Sequence, residues 1–245
     1  MVMAKQVWVI LFYKIMFEQL SNYDREQTIN RYNKRFKEFG YDPKSLGWGI
    51  KGRQKERFKI LIDILKINLL KDLKVCDIGA GFGDLYKYML DNKISLKEYF
   101  GYEIVPNLAK EGNKQYKKYS NFNLFNDDYL EKKENKNVDI SIISGTFNFK
   151  IKKGENYQYI ENVLKKAFNN SSHGVSANFI TNRTDYKDDL IFYANPEKII
   201  DICYGLTKRF VLDHSYFPFE FSIAIFKDDK YDKSMPVFDD NRLKI

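Results

Sequence analysis

The chain is poor in residues that staple, ligate or stack on nucleic acid. Its two cysteines, Cys76 and Cys203, stand far apart in apolar segments. That excludes a disulfide framework and reads as two buried free thiols of a protein kept in a reducing cytoplasm. There are also only two histidines, His173 and His214, so a zinc site at ligand spacing is missing and no metal is expected. No apolar run is long enough to span a bilayer; Val7–Tyr13 is the nearest, and it lacks a strong basic lead and a small-residue cleavage site. Stable membrane insertion is therefore not expected. Arginine is scarce too: of 41 basic residues eight are Arg, and the lysines are scattered among Asp, Glu and Asn. The net charge of +8 raises nucleic acid as a partner, but bidentate phosphate and base recognition prefers Arg. A solvated Lys-rich surface accounts for the charge with fewer assumptions.

What is present suits one α/β domain with additions. The chain has 245 residues, 44% hydrophobic and 16% aromatic, enough for a full core, and no internal repeat. Residues 1–15 read as an extension before an alternative start at Met16, residues 16–70 as a helical lid segment, 71–228 as the core and 229–245 as a polar tail. Helical spacing runs from Phe17 to Phe39 and closes at Gly40; a turn-rich loop, Tyr41–Gly49, leads to a second helix from Gln54 to Leu69. Strands are then expected at 74–78, 99–103, 122–126, 138–144 and 175–181, with helices at 84–91, 106–117, 157–169 and 196–204. Strands separated by helices imply parallel crossovers and a sheet covered on both faces. The last two strands, 209–213 and 219–226, are joined by only His214–Pro218, too short for a crossover, so the last strand is antiparallel.

The most informative segment is Val75-Cys-Asp-Ile-Gly-Ala-Gly-Phe-Gly-Asp-Leu85, a short strand entering a Gly-x-Gly-x-Gly turn. Glycines there let the backbone turn tightly against a ligand, and a helix opening at Gly83 presents unpaired N–H groups to an anionic or polar group. About twenty residues on, Tyr99-Phe-Gly-Tyr-Glu103 ends in a carboxylate, the position that meets ribose hydroxyls in doubly wound sheets. Asn121-Phe-Asn-Leu-Phe-Asn-Asp-Asp128 ends acidic as well.

On these residues, from about Lys74 to Phe226, the chain resembles the class I S-adenosylmethionine-dependent methyltransferases of the bacterial small-molecule type. The nicotinamide fingerprint, Gly-x-Gly-x-x-Gly, fits less well, because the third glycine comes one residue early and Asp77 precedes the first by two. The resemblance implies a doubly wound, seven-stranded, mostly parallel sheet with an antiparallel last strand and an N-terminal helical lid. It also implies an S-adenosylmethionine site formed by Asp77, Gly79, Ala80, Gly81, Gly83 and Asp84. Glu103 and Ile104 would lie at the ribose, and Asp128 with Tyr129 at the adenine. Ser144 and Gly145 would follow the fourth strand. Ser45-Leu-Gly-Trp-Gly49 resembles the family's entry loop, from which Arg57 would pair the cofactor carboxylate; Trp48 is open between a cofactor contact and a plug between helix and sheet.

After the fourth strand, Ser144-Gly-Thr-Phe-Asn-Phe149 lacks the Asn/Asp-Pro-Pro-aromatic segment of enzymes that methylate DNA amino groups or protein glutamine, and it supplies no metal-binding carboxylate. The resemblance then points to an oxygen of a small acceptor, such as a sugar or another building block of a surface polysaccharide. His214 is the candidate general base, since imidazole suits proton abstraction near neutrality, with Asn148 and Asp185 as lesser catalytic candidates and Tyr216 as a further acceptor contact; the bland alternative is a His214 that only caps a hairpin. RNA methylation is the rival activity, and a cofactor-binding accessory protein without catalysis the rival class.

Overall fold

The computed structural model describes residues 20–48, 53–67, 70–132, 137–153 and 155–228. The extension 1–15 with Val7–Tyr13 and the tail 229–245 lie outside these described residues.

Helix α1 (Asn22–Phe39) opens on a side-chain cap: Ser21 Oγ accepts the Asp24 N–H at 3.1 Å and donates to the Asp24 carboxylate at 2.6 Å. One of the donors that every helix start leaves open is thereby satisfied. Gly40 ends the helix at positive φ, its N–H on the Phe36 carbonyl. A 3-10 turn (Pro43–Leu46) follows, then helix α2 (Arg53–Ile64). The alternating part runs β1 (Leu73–Ile78), α3 (Asp84–Asp91), β2 (Leu96–Tyr102), α4 (Pro106–Tyr116), β3 (Phe122–Phe125) and β4 (Val138–Ile143). It continues with α5 (Asn156–Asn170), β5 (Ser171–Ile180), α6 (Pro196–Leu206), β6 (Phe210–Phe217) and β7 (Glu220–Phe226).

The seven strands form one sheet in the order β3-β2-β1-β4-β5-β7-β6. β1 to β5 are mutually parallel, and β7 runs antiparallel to both β5 and β6. The chain moves outward from β1 to β3 and then returns to place β4 against β1. That reversal opens a crevice at the carboxyl ends of β1 and β4, where open α/β sheets take their ligands.

Alternation along the strands feeds two cores. Val75, Ile140 and Ile142 point to the face covered by Phe58, Leu61 and Leu65 of the α2 segment and by Leu85 and Met89 of α3. Cys76, Ile78 and Ile143 point to the opposite face, under Ile160, Val163 and Leu164 of α5 and Ile199 and Cys203 of α6. Both cysteines are buried free thiols whose pKa values burial pushes up, that of Cys203 to about 12. A third, small cluster seats α1: Ile29, Tyr32 and Phe36 rest on Phe82, Val105 and Leu108.

Two expected boundaries move. β5 begins at Ser171, so His173 is a strand residue, and its Nε2 lies 2.8 Å from the Leu65 carbonyl. β6 continues through His214 to Phe217, so the hairpin turn is only Pro218–Phe219. β6 is an edge strand with an irregular register between Asp213 and Phe217. His214 and Ser215 are exposed there, and without one buried face no alternation marks the strand.

Candidate active-site cleft

A cleft of about 320 Å³ lies over the carboxyl ends of β1, β2 and β4. Its floor is the glycine turn. Gly79, Gly81 and Gly83 all have positive φ, and at Gly79 a Cβ would stand 2.1 Å from Thr146 Oγ1, which is hydrogen-bonded to the Ile78 carbonyl. Only glycine lets the turn pass beneath the β4 loop there. Four N–H groups of this turn are satisfied within the protein. Those of Gly79 and Ala80 go to the Tyr102 carbonyl, that of Gly81 to Glu103, and that of Gly83 to the Ala80 carbonyl. Gly83 caps α3 away from the cleft lining; a Cβ there would lie 2.8 Å from the Phe122 ring, so its glycine serves packing.

Glu103 follows β2 and is buried at the cleft wall. Its Oε2 accepts the Gly81 N–H and its Oε1 the Val105 N–H, each at 2.8 Å. Two backbone donors thus fix the carboxylate while leaving lone pairs for donors from a ligand. Desolvation raises its pKa to about 7 against those hydrogen bonds. Asp77, at the end of β1, is also buried and takes the Tyr99 hydroxyl at 2.5 Å; burial raises its pKa to about 7 as well. Tyr99 is a positioning residue that the sequence reading missed, because it reads as one more core aromatic.

The opposite wall is built around Trp48. Its ring packs on Gly145, where a Cβ would lie 2.5 Å away, and the Arg57 guanidinium sits 4.3 Å from its centroid. Trp48 is therefore both a plug and a cleft residue. Arg57 is buried and clamps Glu220 of β7 through Nε at 2.7 Å and through Nη2. Glu220 also takes Asn178 Nδ2, and Asn178 Oδ1 takes the Gly145 N–H at 2.7 Å. Glu220 was not singled out from the sequence; it follows a turn that was read as a longer loop. Two buried polar atoms on this lining, Arg57 Nη1 and Ser144 Oγ, have no hydrogen-bond partner among the described residues.

α1 lies over the cleft with Thr28, Arg31 and Tyr32 on its lining, a set at i, i+3 and i+4 that a helical-face reading of this segment could have found. The helix is latched by its first turn. The Asp24 carboxylate accepts the N–H groups of Lys152 (2.7 Å) and Lys153 (3.0 Å), while Arg25 pairs with Asp128 at 2.9 Å and with Glu131.

Of the residues expected at the site, Trp48, Arg57, Asp77, Gly79, Ala80, Gly81, Glu103, Ile104, Ser144, Gly145 and Asn148 line this one cleft. Asp84 stands behind the turn, taking Tyr41 and Gln54. Asp128 and Tyr129 lie behind α1, the first held by Arg25 and the Leu130 N–H, the second buried with its hydroxyl on Asn170. His214 is exposed on β6, stacked beside Phe221, and does not line the cleft. Asp185 is exposed in the loop after β5 and is likewise outside the lining. Among the described residues no group of three His, Cys, Asp or Glu side chains is placed to hold a metal, and no helix is long and apolar enough to cross a membrane.

Strand order, antiparallel β7, glycine turn and the acid after β2 together define the fold of the class I S-adenosylmethionine-dependent methyltransferases. The sequence itself matches no protein-family model and no curated protein. Among solved structures, the chain is similar to magnesium protoporphyrin IX methyltransferase from Synechocystis with bound S-adenosylmethionine, with a TM-score of 0.60, 13% identity and coverage of 86% of this chain and 100% of that one. It is similar to the N-methyltransferase NodS from Bradyrhizobium japonicum in complex with S-adenosyl-L-homocysteine, with a TM-score of 0.60, 15% identity and coverage of 82% and 100%. A methyltransferase from Aquifex aeolicus superposes with a TM-score of 0.51 at 14% identity, covering 76% of this chain and 98% of that one.

Proposed function

We propose that the chain is an S-adenosylmethionine-dependent methyltransferase acting on an oxygen of a small acceptor, with a sugar or other polysaccharide building block as the class the sequence suggests. The observation that carries this reading is Glu103: a buried carboxylate at the end of β2, fixed by the Gly81 and Val105 N–H groups, open to the cleft beside the glycine turn. Two ribose hydroxyls are the natural donors to such a group. The unpartnered Arg57 Nη1 suits the cofactor carboxylate, and Ile104 lines the cleft where an adenine would follow the ribose. Asp128 is then reached once α1 gives way, since Arg25 now occupies it.

When bound, the cofactor supplies an electrophilic methyl group on a sulfonium. The protein's part is to orient acceptor and methyl and to exclude water, which α1 and Trp48 do by covering the cleft. Calorimetric titration with S-adenosyl-L-homocysteine checks the reading: binding of one equivalent is expected, with nicotinamide dinucleotide far weaker. Absence of binding overturns it, and binding without turnover on any cell fraction would favour an accessory role.

A further inference from the structure

Among the described residues the cleft holds no base for a neutral hydroxyl: no His, Lys or Cys of theirs lines it. Its two phenols, Tyr32 and Tyr159, are pushed by burial above their ordinary pKa and keep their protons. Of its three carboxylates, Glu103 and Asp77 belong to the cofactor end and Glu220 is clamped by Arg57.

The cleft does hold guanidinium groups that no carboxylate pairs among the described residues. Three guanidiniums line it, each stacked on an aromatic ring: Arg57 on Trp48, Arg31 at 5.4 Å from the Phe149 centroid, and Arg53 at 5.3 Å from that of Phe219. Only Arg57 has a carboxylate partner among the described residues. A stacked guanidinium keeps its in-plane donors free for an anion. One cofactor carboxylate can occupy the unpartnered Arg57 Nη1; Arg31 and Arg53 remain. Two such charges repel an amine acceptor, which approaches as a cation near neutrality, and attract an anionic one.

We propose that the acceptor is an organic acid whose carboxylate, drawn in by Arg31 and Arg53, is itself methylated on oxygen. This rests on the methyltransferase reading above. The ionised carboxylate oxygen attacks the sulfonium methyl carbon, the new O–C bond forms as the C–S bond breaks, and the C–S electron pair remains on sulfur as a neutral thioether. No proton is transferred, so the missing base is not missed. The aromatic and aliphatic wall of Phe147, Phe149, Ile151 and Ile191 offers contact to the body of such an acid, whether an aromatic ring or the apolar face of a sugar acid.

The probe is benzoate against its neutral isostere benzamide, titrated into the full chain saturated with S-adenosyl-L-homocysteine. Benzoate is expected to bind at least tenfold more tightly, and Arg31→Gln with Arg53→Gln to abolish that preference while homocysteine-product affinity stays within about threefold. Equal affinity for the two probes, or a preference that survives the double substitution, overturns the proposal. If the homocysteine product itself does not bind, it is the methyltransferase reading that fails. As a second readout, label transferred from methyl-labelled cofactor to the small-molecule fraction of a cell extract should be released as methanol by mild alkali, as esters are. Label stable to alkali would mean an ether or an amine and overturns the ester assignment.

Discussion

A single carboxylate ties the glycine turn to the end of β2. Glu103 takes one backbone N–H from each side, so its loss orphans the Gly81 and Val105 donors and, under the function proposed above, removes the acceptor of the ribose hydroxyls. Glu103→Ala is expected to weaken binding of S-adenosyl-L-homocysteine by about 2 to 4 kcal/mol, the worth of two hydrogen bonds to a charged group, when measured by calorimetry. Unchanged affinity would place the ribose elsewhere. This residue was legible in the sequence because chemistry at strand ends leaves a pattern: an apolar run, then an acid, about twenty residues after a glycine turn. The placement of His214 outside the cleft lining was not legible, for the converse reason. Its chemistry suited a base, but only the course of an exposed edge strand decides what it faces, and that strand carries no alternation to read. Arg31 and Tyr32 were passed over because a charged residue beside an aromatic one on an amphipathic helix looks like any solvated face.

At the scale of elements, the parallel part of the sheet was legible nearly strand by strand, since buried strands read as apolar runs punctuated by helices. The N-terminal helices were legible as helices and foreseen as a lid or pad, but not in their seating, which depends on long-range pairs. Arg57 and Glu220 are 163 positions apart, and together they bolt α2 to the start of β7 beneath Trp48. Both side chains are almost fully buried, at 7% and 1% exposure. Removing one partner leaves the other charge in a dry site, at a cost of about 3 to 5 kcal/mol, whereas replacing both with apolar residues of similar volume costs far less. Glu220→Leu alone should therefore lower the denaturant midpoint strongly, and Arg57→Met with Glu220→Leu should recover most of that loss. A double variant as unstable as the sum of the singles would mean that the pair contributes shape and not charge. The doubly substituted chain should still bind cofactor less well, because Arg57 Nη1 is gone.

At the scale of the whole molecule, the sheet edge concentrates buried acid on a protein whose surface is basic. Asp77 and Glu103 both titrate near 7, Asp77 raised by burial and by the field of Glu103 and Asp84, Glu103 by burial alone, and burial raises Asp84 and Asp128 in the same direction. A carboxylate whose folded pKa lies above its unfolded value binds more protons in the folded state between the two. Its contribution to stability is full below the unfolded pKa, near 4, and is lost as pH rises through about 7. The ligand-free protein should therefore lose stability from pH 5 to 8 through these groups, and Glu103→Gln should flatten that slope. Bound S-adenosyl-L-homocysteine reverses the preference at Glu103, because ribose hydroxyls donate to the charged form, so the ligand's stabilising increment should grow over the same interval. Thermal melts of wild type and Glu103→Gln, with and without ligand at pH 5.5, 6.5, 7.5 and 8.5, separate the two effects. An increment that stays flat with pH, together with a variant whose ligand-free slope matches wild type, would show that Glu103 enters the complex already charged and that its burial costs the empty cleft nothing; an increment that shrinks would mean that the ligand prefers the protonated acid.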